Sequence, residues 1–479
     1  MKGIEDRILR LTPNSSSLGD AVLSPEGDQL YYLASFEKGY DLWSINTRTK
    51  ETKIEAKEVG YARLSLDKDG KNLFLLGRTM QKMTLAGGKK TNISPVLEMD
   101  LDLAAEREYM FNHVCTQQEK RFYVTDMHGV DWQLMKKAYV RFLPHINNNY
   151  DFAEMLSELL GELNTSHTGS GYRNRDENAD ATADLGLLFS WNYQKDGLLI
   201  DEVLEKGPFD NSDSKVKAGC VIEKIDGEKI IAGQDYYLLL NKQAGKRVLI
   251  SLYNPATNER WDEVVKPITM GAARALLYTR WVKQRQADVE RLSNGRLGYV
   301  HIQSMGDPSF RSVYSDILGK YNNKEAIVID TRYNGGGRLH EDIEMLFSGK
   351  KYFTQVIRGQ ESCDMPSRRW NKPSIMIIGE ANYSNAHGTP WVYKHTGIGK
   401  LVGMPVPGTM TSVYWETLQD PSLYFGIPVV GYRLDDGSYL ENQQLEPDVK
   451  VANSPEKIII GEDEQLAKAV EEMLKQLKK

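Results

Sequence analysis

The sequence predicts a multidomain α+β chain. Three observations carry this. Near the N-terminus, strand-like alternation is punctuated by Asp/Gly turns and repeats once. A helical stretch and a small β-rich module follow. From about residue 270 onward, short apolar strands alternate with helices, which is an α/β pattern. At 479 residues the chain is too long for one core and suits three or four domains.

The first segment, residues 1–95, carries the repeat. Leu23-Ser24-Pro25-Glu26-Gly27-Asp28-Gln29-Leu30-Tyr31-Tyr32 is matched by Leu64-Ser65-Leu66-Asp67-Lys68-Asp69-Gly70-Lys71-Asn72-Leu73-Phe74. Each has a serine, an Asp/Gly turn and then a strand. Asp41-Leu42-Trp43-Ser44-Ile45 reads as a further strand of the first unit. The spacing of about 40 residues is that of a propeller blade. Two blades cannot close a propeller, and their open edges need a cover. The segment therefore predicts a partial propeller, truncated at its N-terminus, or strands packed on another element.

Residues 96–175 read as helical. Ala104 to Lys120 and Asp151 to Leu163 place apolar residues at three- and four-residue steps, and Asp131 to Tyr139 suggests a shorter helix. The stretch ends in a polar loop, Asn164-Thr165-Ser166-His167-Thr168-Gly169-Ser170-Gly171. A charged, mobile linker follows from Arg173 to Ala183, including Arg175 and Glu177.

Residues 184–268 form the β-rich module. Leu185 to Phe189 and Leu198 to Val203 are candidate strands. Val216-Lys217-Ala218-Gly219-Cys220-Val221-Ile222-Glu223-Lys224-Ile225-Asp226-Gly227 resembles the PDZ signature, an Ala-Gly turn before a strand that ends in Asp-Gly. Such a fold binds extended peptides by adding them as a strand.

Residues 270–479 are the α/β domain. Arg296 to Gln303, Ala326 to Asp330 and Ser374 to Gly379 are its apolar strands, and helices follow the last two. Asp463 to Lys479 is an amphipathic helix with Leu466, Val470, Leu474 and Leu477 on one face.

Composition narrows the function classes. Hydrophobic content of 41% and charged content of 26% describe a soluble globular protein. A net charge of -6 without a long basic block argues against nucleic acid as the main partner. No apolar run reaches about 18 residues, so no membrane span is expected. Met1 to Arg7 lacks the apolar core of a signal peptide. The unfinished repeat nevertheless leaves the leader, and hence a cytoplasmic or periplasmic location, open. Cys115, Cys220 and Cys363 show no metal-ligand spacing or disulfide framework. No cofactor or metal is expected.

Two motifs could carry chemistry. Asp330-Thr331-Arg332-Tyr333-Asn334-Gly335-Gly336-Gly337 joins a buried-looking strand to a helix. Three glycines let backbone approach a ligand and present free N–H groups. A phosphate loop, an oxyanion hole and a plain tight turn all fit, although Walker A and spaced G-x-G-x-x-G patterns are absent. The second motif is Ile375-Met376-Ile377-Ile378-Gly379-Glu380-Ala381-Asn382-Tyr383-Ser384-Asn385-Ala386-His387-Gly388. A strand ends, turns, and a helix begins near Ala386. Ser384 at such a turn projects its hydroxyl from the top of a sheet, which is nucleophile-elbow logic without G-x-S-x-G. Taken alone, Ser384 reads more readily as a helix cap than as a nucleophile.

Together the two motifs resemble the tricorn-like and C-terminal-processing peptidase superfamily. Its members place a helical segment, a PDZ domain and a crotonase-like α/β domain in this order, and tricorn-type members add propellers upstream. The resemblance implies a serine peptidase that hydrolyses oligopeptides or unfolded polypeptides through an acyl-enzyme. It implies a Ser-His-Ser-Glu tetrad. Ser384 matches the nucleophile, Ser166-His167 the Ser-His pair, and Glu441 the glutamate of the stretch Glu441-Asn442-Gln443-Gln444-Leu445-Glu446-Pro447-Asp448. It further implies oxyanion donors at Gly336 or Gly337 and at Asn385, and a homo-oligomeric assembly. A serine hydroxyl needs such a base, and His167 could take and return its proton.

Departures from the family pattern set alternatives. The family turn reads Ser-Asp-Gly-Asp, and here it is Ser384-Asn385-Ala386-His387. A shifted register would put Ala386 at the nucleophile position. Ser384 suits the distance from the strand better. His387 is a second candidate base. The Ser/Lys branch is disfavoured because Pro405-Val406-Pro407-Gly408-Thr409-Met410-Thr411 holds no lysine, and Lys400 reads as a surface residue. Arg358, Arg368-Arg369-Trp370 and Tyr414-Trp415-Glu416 could line a substrate groove. The alternative to an enzyme is a PDZ-containing, peptide-binding scaffold with a decayed peptidase domain. A weaker third reading is a phosphate-ligand enzyme built on the glycine run.

Overall fold

The computed structural model describes residues 3, 8–12, 15–36, 39–95, 98–174, 176 and 178–478. Most of Met1 to Arg7, and linker residues Arg175 and Glu177, lie outside the described residues. The chain divides into two compact units, Met1–Leu101 and Asp102–Lys479.

In the first unit the strands Ser17–Leu23, Gln29–Ser35, Asp41–Asn46 and Thr52–Ala56 form an antiparallel meander. Ala62–Leu66, Asn72–Gly77, Met80–Thr84 and Lys90–Ile93 form a second. The turns follow the Asp/Gly chemistry. Gly70 takes a positive φ of 65°, and Asp67 Oδ1 accepts the Lys71 and Asn72 N–H groups. Leu33, Leu42, Leu73, Leu75 and Met83 fill one cluster shared by both sheets.

The second unit is organised around a five-stranded, all-parallel sheet. Its order is Leu297–His301, Ala326–Asp330, Ser374–Ile378, Lys400–Gly403, Val449–Lys450. Parallel sheets are covered on both faces, so their strands read as unbroken apolar runs. Here alternate residues serve opposite sides. Ile327, Ile329, Met376 and Ile378 pack under the helices Asp307–Ser315, His340–Phe347 and Asn385–His395. Val328, Ile375 and Ile377 pack against Val289 of the helix Met270–Leu292 and Leu466, Ala469, Val470 and Met473 of Glu464–Leu477. Burial of each such side chain contributes roughly 1.5–3 kcal/mol. Both chemical motifs leave this sheet at the carboxyl ends of adjacent strands, where α/β sheets hold their ligands.

The helical segment comprises Leu103–Arg121, Trp132–Val140 and Asn149–Gly161. It does not own its core. Phe111, Phe152, Leu156 and Leu159 share one cluster with Leu418, Leu423, Phe425 and Ile427. These last residues belong to or flank the hairpin Thr411–Thr417/Leu423–Gly431, which Ser170–Tyr172 joins as a third strand. The linker begins tied down, with Arg173 N–H bonded to Ser422 O at 2.7 Å.

The β module is a sheet of Leu187–Phe189, Leu198–Val203, Val221–Ile225, Val248–Asn254 and Glu259–Val265, with Glu228–Lys229 paired to its third strand. Its core includes Ile200, Ile222, Ile225, Val248 and Ile250. Among the described residues no helix is long and apolar enough to cross a membrane, and no cluster of His, Cys, Asp or Glu could hold a metal ion.

Candidate active site

Ser384 stands where the strand Ser374–Ile378 turns into the helix Asn385–His395. Its backbone has φ 57° and ψ −127°, a conformation that costs a non-glycine residue roughly 1–3 kcal/mol. Ser384 occupies the N-cap position, yet its side chain makes no capping bond. Its N–H instead donates to Thr409 Oγ1 at 3.0 Å. Ala386, the residue of the alternative register, is fully buried in the core, and its N–H bonds Tyr383 O. The turn therefore displays Ser384 and hides Ala386.

The glycine run lies directly against this serine. Gly336 has φ +100°, and a Cβ there would stand 2.5 Å from Ser384 Cβ and 3.0 Å from Ser384 Oγ. Asn334 shapes the run. Its Nδ2 donates to Ile302 O at 2.7 Å, and its Oδ1 accepts the Gly336 N–H at 2.8 Å. That bond occupies the Gly336 N–H, one of the two amides named as alternative oxyanion donors. Gly337 bridges to Met305 through its neighbours, with Met305 N–H on Gly336 O and Arg338 N–H on Met305 O. Among the described residues neither the Gly337 nor the Asn385 N–H has a hydrogen-bond partner.

The Asn385 side chain ties the two motifs together. Its Oδ1 accepts from Leu339 N–H at 2.9 Å and His340 N–H at 3.1 Å. Its Nδ2 donates to His340 Nδ1 at 2.8 Å, which places the His340 proton on Nε2.

Ser166-His167 arrives from the helical segment. Strand pairing of Ser170 with Phe425 carries the loop alongside the hairpin. Gly426 permits the close approach, because a Cβ there would lie 2.3 Å from His167 O. Ser166 Oγ contacts His167 Nδ1 at 2.7 Å and Glu441 Oε2 at 3.0 Å. Glu441 Oε1 also accepts from the Ser166 N–H and from Thr165 Oγ1. A carboxylate only accepts, so the Ser166 hydroxyl donates to Glu441 and accepts from His167 Nδ1–H. Nε2 is then the unprotonated nitrogen. Thr411 Oγ1 braces the same junction, 3.0 Å from His167 Nδ1 and 3.1 Å from Ser166 Oγ.

Tyr383, beside the serine, completes the contact. Its hydroxyl accepts the His167 N–H at 2.7 Å, and the rings sit 4.7 Å apart. The structure thus brings Ser166, His167 and Glu441 into one relay and lays it on the serine turn. No hydrogen bond joins Ser384 Oγ to His167 among the described residues. A cavity of about 490 Å³ opens beside the relay, lined in part by Ser166, Tyr383, Thr409 and Glu441.

Burial sets the proton affinities. It lowers the His167 pKa to about 4, so the imidazole is neutral at pH 7. Burial raises Glu441, while bonds from Ser166 and Thr165 pull it back. His387 is fully buried and lowered to about 4 by desolvation. Its Nδ1 accepts the Thr409 N–H at 3.3 Å, and among the described residues its Nε2 has no partner, so it faces the interior.

The remaining candidates sort by contact. Trp370 is buried with its Nε1–H on Pro373 O, whereas Arg358, Arg368 and Arg369 are exposed. Glu416 is held by His113 and Arg121. Lys400 is exposed, 3.8 Å from Glu472. Tyr383, Thr409, Thr411 and Asn334 were not singled out as site residues by sequence. Asn334 and Tyr383 lie inside the two quoted motifs, and Thr409 and Thr411 in a stretch read only for its lack of lysine.

Comparison with known proteins agrees with this architecture. The family model for Peptidase family S41 matches residues 296–451, and that for the Tricorn protease C1 domain matches 103–161. A Sulfurisphaera tokodaii protein named as the C-terminal subunit of a tricorn-like protease is 24% identical, covering 100% of this chain and 58% of the relative. Tricorn protease homolog 1 of Streptomyces coelicolor is 26% identical over 77% of this chain and 35% of its own length. The tricorn protease of Thermoplasma acidophilum is 24% identical over 94% and 42%. A crystal structure of the tricorn protease superposes with a TM-score of 0.83 at 19% identity, covering 94% of this chain and 46% of that one. The chain therefore spans between about a third and three fifths of the length of these relatives. The matched family models and the relatives support a tricorn-like peptidase of family S41, and the shared fold agrees with them.

Proposed function

We propose that the chain is a serine peptidase that cleaves oligopeptides or unfolded polypeptides through an acyl-enzyme on Ser384. The observation that carries this reading is the Glu441–Ser166–His167 relay resting on the serine turn. Ser384 Oγ attacks the scissile carbonyl carbon while His167 Nε2 takes its proton. The Gly337 and Asn385 N–H groups donate to the developing oxyanion. The C–N bond breaks as His167 returns the proton to the leaving amine. Water, deprotonated by the same nitrogen, then hydrolyses the ester. Ser166 and Glu441 hold the imidazole tautomer and offset its charge. Apo sites often hold catalytic bonds long, and substrate closes the gap between Ser384 and His167. In this reading the β module is a PDZ-like domain that presents extended chains, and the first unit is two propeller-type blades.

A fluorophosphonate probe tests the assignment. The chain should be labelled stoichiometrically, and Ser384→Ala should abolish labelling without loss of folding. Persisting labelling in that variant sinks Ser384. A second reading, a peptide-binding scaffold with a decayed peptidase domain, draws on the missing Ser384–His167 bond. It expects C-terminal peptides to bind without turnover and no labelling of the unaltered chain.

A further inference from the structure

A buried charged cluster lies behind the glycine run, and the proposed chemistry does not touch it. Asp330 and Thr331 are fully buried, and Arg332, Asp463, Gln465 and Arg285 nearly so. The Arg332 guanidinium uses every donor. Nε and Nη2 bond Asp330 at 3.0 and 2.6 Å. Nη1 and Nη2 bond the two oxygens of Asp463 at 3.0 and 2.9 Å, and Nη1 also reaches Gln465 Oε1 at 3.0 Å. Asp463 in turn caps the helix Glu464–Leu477, accepting the Leu466 N–H at 3.0 Å. Arg285 Nη1 stands 3.4 Å from Asp463, so two guanidiniums face two carboxylates.

Ion clusters this deep rarely stabilise a fold more than apolar packing would. Geometry is what this one supplies. The Arg332 backbone is fixed at both ends, its N–H on Asp330 Oδ1 and its C=O accepting from His301 Nε2. A carbonyl only accepts, so the His301 proton lies on Nε2 and Nδ1 accepts from the Tyr278 hydroxyl. Two residues on, Asn334 sets Gly336, and its C=O accepts the Tyr383 N–H at 3.0 Å. Thr331 Oγ1 accepts from Asn382 Nδ2, which also donates to Ala386 O. Two tethers to the serine turn, from Thr331 Oγ1 and from Asn334 O, therefore start from the backbone on either side of Arg332, and the Asn385 clamp on Leu339 and His340 adds a third.

We infer that Asp463 is a positioning residue. Through Arg332, the capped end of the C-terminal helix sets where the Gly337 and Asn385 N–H groups stand relative to Ser384. This rests on the reading that Ser384 is the nucleophile. Displacing a reacting group by 1 Å costs on the order of 10²-fold, and losing one oxyanion donor about 10²–10³-fold.

Asp463→Asn keeps the acceptor that caps the helix but removes the charge and one acceptor for Arg332. It should lower kcat on a peptide substrate and the rate of fluorophosphonate inactivation by about 10–100-fold, with KM within about threefold. Hydrogen exchange should quicken across Asn334 to Leu339 and stay unchanged in Ala326–Asp330. Glu464→Gln, on the same helix but outside the cluster, should leave the rates alone. Unaltered kcat and inactivation in a folded Asp463→Asn overturn the inference. So does exchange that quickens equally through the whole sheet, which would mark a general stability residue. Should Asp463→Asn not fold, Gln465→Met leaves all four ions in place and should show the same pattern at about threefold; unchanged rates there overturn it. If the unaltered chain is not labelled at all, the nucleophile reading has failed, and the exchange pattern alone decides whether Asp463 holds the loop.

Discussion

Alanine at Gly336 should cost far more activity than stability, and the three adjacent glycines make the claim measurable. A Cβ at Gly336 would stand 2.5 Å from Ser384 Cβ, 2.9 Å from Tyr383 O and 3.0 Å from Ser384 Oγ. Carbon atoms rest at about 3.5–4.0 Å, so the run and the serine turn must part by about 1 Å. Holding alanine at φ +100° adds strain of roughly 1–3 kcal/mol. A 1 Å shift between nucleophile and oxyanion donors lowers the rate about 10²-fold. At Gly335 an added Cβ meets nothing within 4 Å, so Gly335→Ala should be nearly silent. At Gly337 it would fall 2.0 Å from Met305 O, a backbone atom that cannot yield, so Gly337→Ala should lose the loop or the fold. The assays are thermal unfolding and the second-order rate of fluorophosphonate inactivation. The expected order is silent, folded but about 100-fold slowed, and unfolded. A Gly336→Ala enzyme that reacts at the unaltered rate would refute the packing argument, as would a Gly335→Ala enzyme equally slowed.

Three further predictions concern the relay and the protons of two buried histidines. Glu441→Gln keeps the shape but offers an N–H where Ser166 donates; the tautomer of His167 is lost, and kcat should fall on the order of 10²–10⁴-fold with little change in KM. A loss under about threefold in steady-state kinetics would remove Glu441 from the relay. Burial lowers both His167 and His387 to about 4, with opposite uses. His167 must be unprotonated to act as base, so the acid limb of kcat/KM should lie near pH 4; a limb at pH 6.5 would contradict its burial. For His387 the folded value lies below the unfolded one. The unfolded chain therefore binds the extra proton, and stability is lost as pH falls from about 6.5 toward 4. Between pH 7 and pH 5 this amounts to roughly 2 kcal/mol, which urea titrations should recover in His387→Gln.

The parts of the fold that were legible are those with a local cause. Ala326–Asp330 and Ser374–Ile378 are unbroken apolar runs because both faces of a parallel sheet are covered. The helices of the second unit follow their apolar spacing. The sharing of cores was not legible. Ser170–Tyr172 pairs with a hairpin some 250 residues away, and nothing local in either stretch records it. That pairing is what delivers His167 to the site, so the relay could be proposed only from a family likeness. Tyr383, Thr409 and Thr411 were missed for a related reason. A hydroxyl in a polar loop looks like turn chemistry until its partner is known. That the Gly336 N–H is taken was equally out of reach, because the Asn334 side chain takes it.

Asn385, with His387, is a departure from the family turn that motivates the decayed reading, and the Asn385 contacts argue otherwise. A carboxylate there could accept from the Leu339 and His340 N–H groups but could not donate to His340 Nδ1. The amide does both, and the histidine that receives it stands on the helix following the glycine run. Sequence drift at a dead site has no reason to install a donor and its acceptor together, on segments 45 residues apart. Asn385 and His340 instead form the two halves of one clamp. The clamp ties the glycine run to the serine turn, and among the described residues it leaves the Gly337 and Asn385 N–H groups without a hydrogen-bond partner.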